Sequence, residues 1–209
     1  MKLVSIVIPV YNKEQIIVNC VKKINRQSKI ICEKLSLNYE LIAVLDGCSD
    51  NTKENLKSVS IKNLKVISYE INRGKGFAVR YGMMNAKGDY VGFVDSGIDL
   101  EYSSIKYAIT QIVKNKAHIV VGSKKHKKSV LVYPTVRKVY TKVYSILSFL
   151  LTGIKYADSQ VGLKIFSREA VDLFLPRILV KRYAFDVEIL AVLASLGFDK
   201  HIDIPVRIN

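Results

Sequence analysis

Apolar runs that alternate with helical stretches constrain this chain more than any other feature. Leu3–Val10, Tyr39–Leu45, Leu64–Tyr69, Tyr90–Val94 and His118–Val121 are short and rich in β-branched residues. They read as strands covered on both faces, so the sheet they form must be mainly parallel with helices against either side. The intervening helices are expected near Glu14–Leu35, Asn51–Ser58, Gly76–Ala86 and Ser103–Asn115. From about Ser123 the pattern changes to a basic loop, followed by a long helix around Val136–Leu151. A strand near Val161–Phe166, a helix near Phe185–Leu196 and a last strand at Lys200–Ile204 complete the reading. No repeat, low-complexity tract or linker divides the 209 residues, so one α/β domain is expected.

Open α/β sheets bind ligands beyond the carboxyl ends of their strands. Four successive strand ends here carry polar or glycine-bearing segments: Tyr11–Asn12, Asp46-Gly-Cys-Ser-Asp50, Asn72-Arg-Gly-Lys-Gly76 and Asp95-Ser-Gly-Ile-Asp99. Taken singly, each has a plain reading. Asp-Gly punctuates turns, paired acids often cap, and a glycine loop is often only solvated. The chemical reading is as direct. Asn72–Gly76 opens a helix and could hold an anion through backbone N–H groups and Lys75, although it lacks both the Walker and the GxGxxG spacing. Asp95 and Asp99 could share Mg²⁺ or Mn²⁺ with a diphosphate.

The charge balance is unusual: 33 Lys+Arg against 18 Asp+Glu gives +15, spread along the chain. Such a surface favours polyanions, whether nucleic acid, anionic headgroups or phosphorylated substrates. Nucleic acid is disfavoured as a partner, since no RNA- or DNA-binding signature is present and acids stand at the strand ends. Cys20, Cys32 and Cys48 have neither CxxC spacing nor an even count, which fits a reducing compartment. The amino-terminal apolar run ends at Val10 without a cleavage site and reads as a buried strand, not a leader. No apolar stretch reaches the length of about 18 residues needed to span a bilayer. Lys124-Lys-His-Lys-Lys128 reads as a solvated loop or as a contact for phosphate or membrane. Val143–Ile154, flanked by Lys138, Lys142 and Lys155, reads either as a core helix or as an interfacial one.

In combination the motifs are more specific. PVYN, DGCSDNT, NRGKGFAVRYGM and GDYVGFVDSGIDL, in that order, resemble family 2 glycosyltransferases of the GT-A type. Asp158-Ser-Gln-Val-Gly-Leu-Lys-Ile-Phe-Ser-Arg168, Arg182-Tyr-Ala-Phe-Asp-Val-Glu188 and Asp203-Ile-Pro-Val206 are similar to the dolichyl-phosphate glucosyl- and mannosyltransferase group, the glucosyl type more so. The resemblance runs from about Val4 to Arg207.

It implies a GT-A fold and an inverting transfer of a hexose from a nucleotide sugar (UDP-glucose-like or GDP-mannose-like) to a polyprenyl or dolichyl phosphate. Residues 1–122 would bind the nucleotide sugar and 123–209 the acceptor. Pro9, Tyr11, Glu14, Lys75 and Ser96 would line the nucleotide site, with Asp46 on the edge of the base. Lys124, Arg137 and Lys164 would face the acceptor phosphate, and Asp158 would act as base or acceptor-orienting group. The family's acidic motif is usually DAD followed by a Gln. Here Asp95 keeps the first position, Gly97 replaces the second acid and Asp99 falls where Gln would stand, so the Mg²⁺ or Mn²⁺ site is either rebuilt from Asp95 and Asp99 or weakened. A family 2 enzyme acting on a polysaccharide acceptor is the nearest alternative, and a non-catalytic relative is the reading that Gly97 invites. Related enzymes often carry transmembrane helices after the catalytic domain. With its end at Asn209, this chain is expected to be a truncated or peripheral form, cytoplasmic and attached to an anionic membrane surface.

A lipid monophosphate, with a second pKa of about 6, is already ionised at neutral pH. Asp158 would therefore position more than deprotonate. A diphosphate leaving group needs its growing charge offset, which is work for a divalent metal together with Lys or Arg.

Overall fold

A computed structural model describes residues 1–97, 100–132, 161–182, 184–198 and 200–208. The expectations for the 136–151 helix, the 143–154 stretch, Asp99, Arg137 and Asp158 lie outside the described residues. Along the chain run β1 (Leu3–Val10), α1 (Ile17–Lys34), β2 (Asn38–Asp46), α2 (Thr52–Lys57), β3 (Leu64–Tyr69), α3 (Lys75–Met84), β4 (Tyr90–Val94), α4 (Ser104–Lys114), β5 (Ile119–Ser123) and β6 (Val130–Leu131). After residue 160 come β7 (Leu163–Ser167), α5 (Arg168–Phe174), α6 (Phe185–Ser195), β8 (Ile202–Pro205) and β9 (Arg207–Ile208).

Side chains alternate across a strand, so a continuous apolar run feeds two cores at once. Val4, Ile6, Ile8 and Val10 of β1 enter one core and Val7 the other. In β2, Leu41, Ala43 and Leu45 face the first core while Ile42 and Val44 face the second. α1 covers the first face with Ile17, Val21, Ile24 and Ile31, and α4 with Ile105, Ala108, Ile109 and Ile112, each set at helical spacing. The opposite face is covered by Ala78, Val79 and Met83 of α3, by Phe174 of α5, and by Phe185, Ile189 and Leu193 of α6. Burying an aliphatic or phenyl side chain of this size contributes about 1.5–3 kcal/mol, so these two layers hold the fold.

The strands order as β3-β2-β1-β4-β7-β5-β8, with β6 and β9 forming a separate parallel pair. β7 runs antiparallel between β4 and β5, and every other neighbouring pair in the large sheet is parallel. The carboxyl ends of β1, β2, β3, β4, β5 and β8 therefore share one edge with the start of β7.

β3 departs from expectation. It closes one side of the sheet, and none of its residues is fully buried: Lys65, Val66 and Ser68 are exposed, and Leu64, Ile67 and Tyr69 are half-buried. α5, β6 and β9 are too short to leave a periodic signal in sequence. α5 is started by Ser167, whose Oγ accepts from the Ala170 N–H at 3.2 Å. Among the described residues no helix is long and apolar enough to cross a membrane.

Candidate active site

At the shared edge lies a cavity of about 430 Å³. Pro9, Tyr11, Asp46, Lys75, Asp95 and Ser96 line it, as expected from sequence, joined by Lys13, Asn72, Arg182 and the backbone of Gly74 and Gly97.

Hydrogen bonds between the strand-end loops fix its floor. Asn12, at φ 46°, accepts from the Ser49 N–H at 2.9 Å and donates to Ser49 Oγ at 3.1 Å. The Lys13 N–H donates to Thr52 Oγ1 at 2.8 Å, and Ser96 Oγ donates to the Pro9 carbonyl at 2.7 Å. Tyr102, from the start of the next helix, donates to the Gly97 carbonyl at 2.7 Å, and its hydroxyl lies 2.9 Å from Cys20 Sγ. Burial pushes the Tyr102 hydroxyl well above its ordinary range and the Cys20 thiol up to about 11, so both keep their protons as structural donors.

Asp95 forms an ion pair inside the cavity. Its carboxylate oxygens lie 2.7 and 2.9 Å from Lys75 Nζ, the first residue of α3. Lys75 in turn projects over Phe93 and Phe185, 5.9 and 5.6 Å from their ring centroids. The Asp95 N–H donates to the Gly162 carbonyl at 2.8 Å. Its carboxylate rests over Gly162, where a Cβ would come within 2.0 Å of Asp95 Cγ. Only glycine admits the acid there. Gly74, at φ 95°, turns the third loop into the N-terminus of α3 and brings it against Lys181 and Arg182.

Two expected placements change in the structure, those of Glu14 and Lys164, and Asp46 gains a further part. Asp46 lines the cavity, but its oxygens accept from the backbone N–H groups of Arg73 at 2.7 Å and Gly74 at 3.0 Å and from the Asn72 amide at 3.1 Å. With these bonds it shapes the glycine loop. Glu14 does not line the cavity, because its carboxylate accepts from the Asn51 N–H at 3.0 Å and so clamps the second loop. Lys164 does not face an acceptor. Its side chain is fully buried and its Nζ lies 2.6 Å from Asp186 Oδ1. Lys124 stands half-buried just beyond the carboxyl end of β5, on the same edge as Asp95. Lys13, Tyr102, Arg182 and Asp186 were not singled out by sequence, although Arg182 and Asp186 belong to the Arg182–Glu188 motif.

Asp95, its side chain about one-third exposed, is a hard oxygen donor of the kind a divalent cation takes, and the Lys75 ammonium 2.7 Å from its Oδ1 shows that the place accepts positive charge. Among the described residues no cluster of three or more possible metal ligands surrounds it. Mg²⁺ and Mn²⁺ sites of this kind take one or two protein carboxylates and complete their shell with phosphate and water.

Residues 5–174 match the family described as Glycosyl transferase family 2. The chain is 30% identical, over 92% of its length, to a dolichyl-phosphate beta-glucosyltransferase of Dictyostelium discoideum, and 29% identical over 89% to that of Saccharomyces cerevisiae. It spans 62% and 61% of those two relatives. A UDP-N-acetylglucosamine–dolichyl-phosphate N-acetylglucosaminyltransferase of Methanococcus voltae is 30% identical, covering 87% of this chain and 76% of the relative. In structure, the chain is similar to glucosyl-3-phosphoglycerate synthase of Mycobacterium tuberculosis in complex with Mn²⁺, UDP and phosphoglyceric acid. The TM-score is 0.69 at 18% identity, over 98% of this chain and 68% of that one. The same enzyme with Mg²⁺ and UDP gives a TM-score of 0.69 over 99% and 70%. At such identity the likeness speaks for the fold, which is GT-A. With its mainly parallel sheet, its equipped strand ends and the match over residues 5–174, the chain belongs to glycosyl transferase family 2.

Proposed function

We propose that this protein transfers a hexose from a nucleotide sugar to a polyprenyl phosphate of the dolichyl type, with inversion at the anomeric carbon and with Mg²⁺ or Mn²⁺. The observation that carries this reading is the meeting of Asp95 with Lys13, Lys75 and Arg182 in one cavity at the sheet edge. Those are the groups a diphosphate leaving group needs, and the relatives named above act on dolichyl phosphate.

In the reaction an ionised phosphate oxygen of the acceptor attacks the anomeric carbon as the bond from that carbon to the diphosphate oxygen breaks. The electron pair leaves with the nucleoside diphosphate, and no proton need move. A divalent metal held by Asp95, with Asp99 as its expected companion, would offset the charge growing on that diphosphate. Lys75 is already fixed beside Asp95 and adds a second positive charge. Tyr102 and Gly162 keep the acid loop in place, so little reorganisation is needed during the step.

Incubation with Mn²⁺, a long polyprenyl phosphate and either UDP-glucose, UDP-N-acetylglucosamine or GDP-mannose should give a lipid-linked β-sugar from at least one α-linked donor. Product formed only on a glycan acceptor would replace this reading with the polysaccharide one.

The proposed place of work is the cytoplasmic face of an anionic membrane. Three free thiols suit a reducing compartment, and the exposed Lys125, Lys127 and Lys128 lead into β6, beyond which Val132 is exposed. Each cation near such a surface contributes about 1 kcal/mol. The protein should sediment with anionic but not neutral liposomes, and less so as salt rises to physiological strength. Replacing the four lysines of 124–128 by Gln should weaken both this binding and transfer to the long lipid. Equal, salt-insensitive binding to both liposome types would return the cluster to a solvated loop.

A further inference from the structure

Lys164 and Asp186 form a buried ion pair that the transfer reaction, as described, does not use. The Lys164 side chain is fully enclosed, and its ammonium donates to Asp186 Oδ1 at 2.6 Å and to the Val161 carbonyl at 2.9 Å. No substrate phosphate can reach it there.

Stability alone is a poor account of such a pair. Two charges lose their hydration on burial, and an apolar pair of similar volume is often as stabilising or more so. What the charged pair supplies is direction. Val161 and Gly162 make the turn into β7, and Lys164 holds the Val161 carbonyl of that turn. On its other side the same turn carries Asp95, whose N–H donates to the Gly162 carbonyl at 2.8 Å and whose carboxylate rests on the Gly162 Cα.

The partner end is equally placed. Asp186 lies in the first turn of α6 beside Phe185. The Phe185 ring sits 5.4 Å from that of Phe93 and 5.6 Å from Lys75 Nζ. Phe93 also has the Lys164 ammonium 5.3 Å from its centroid. The pair thus ties the turn beneath Asp95 to the aromatic wall beneath Lys75.

We propose that Lys164 and Asp186 are positioning residues that set the Asp95 carboxylate and the Lys75 ammonium for cation and diphosphate binding. The proposal rests on the reading of Asp95 as the metal-holding acid. It does not depend on which sugar or acceptor is used.

The test replaces the pair by Lys164→Met/Asp186→Leu, which keeps the net charge and the branched outline of residue 186, and separately makes Asp186→Asn, which keeps shape. Mn²⁺ affinity is read by electron paramagnetic resonance in the absence of substrates, alongside transfer rates. Unfolded molecules lower the number of sites but not the Kd of those that remain, so a loss of stability cannot imitate the effect. Outer partners of metal ligands typically tune affinity or activity by about 10–100-fold. The double variant should therefore bind Mn²⁺ at least about tenfold more weakly, with kcat falling in parallel, and Asp186→Asn should fall between it and the parent. Mn²⁺ Kd and kcat within twofold of the parent in both variants would overturn the proposal and leave the pair a fold element. If the parent protein transfers sugar but binds no Mn²⁺, the metal assignment itself fails and this inference fails with it.

Discussion

Asp95→Ala should lose transfer by about a thousandfold or more while the protein still folds. The acid ends β4 at the ligand edge, and its side chain is 34% exposed, so truncation opens no core cavity. What is lost is the acid proposed to anchor a divalent cation and the partner that holds Lys75 at 2.7 Å. Metal charge stabilisation of a departing diphosphate is worth several kcal/mol. At about 1.4 kcal/mol per tenfold, a loss of about 4 kcal/mol gives the stated factor. Steady-state transfer rates check it, with circular dichroism to show an intact fold. Full activity in the variant, or activity undiminished by EDTA in the parent, would remove the metal from Asp95.

Asp186→Ala acts on stability instead. It leaves the Lys164 ammonium enclosed, still donating to the Val161 carbonyl but without the carboxylate at 2.6 Å. Burial pushes the Asp186 carboxyl up while Lys164 pulls it down, and truncation removes the group on which that balance rests. Breaking such a pair from one side costs about 3–5 kcal/mol. For a chain of this size that lowers Tm by on the order of 10 °C. The Lys164→Met/Asp186→Leu protein should recover most of the loss, since no charge is then stranded. A Tm for Asp186→Ala within 2 °C of the parent would mean that water or another group already satisfies Lys164. These two expectations separate chemistry at Asp95 from support beneath it.

The strands were legible because a run such as Val4–Val10 or Leu41–Leu45 has to be covered twice, and few arrangements do that. β3 was harder, since Lys65 and Ser68 interrupt its apolar residues and only its place at the sheet border explains their exposure. The cluster of Pro9, Tyr11, Lys75, Asp95 and Ser96 was legible from strand ends, because the parallel topology brings those ends together whatever the details. Individual carboxylates were not. Asp46 and Glu14 stand in the same kind of loop as Asp95, yet their oxygens are spent on the N–H groups of Arg73, Gly74 and Asn51. Residue type and neighbourhood do not reveal which way an acid turns. Lys164 misled for a similar reason: a lysine is rarely buried, and the acid that buries it here lies 22 positions further along the chain.

The place of β7 has a consequence for how the molecule comes into being. Synthesis delivers β1 through β6 before residue 163, yet β4 and β5 are joined in the sheet only through β7, which lies between them. The nascent sheet must hold open a slot about two strand spacings wide, roughly 10 Å, with raw hydrogen-bonding borders on both sides. Such borders are sticky, and contacts this distant along the chain form slowly. A ribosome paused before Leu163 therefore presents an unfinished sheet. The acid site also lacks its Gly162 floor until that moment. Closure of the sheet and completion of the floor beneath Asp95 thus depend on the same late segment.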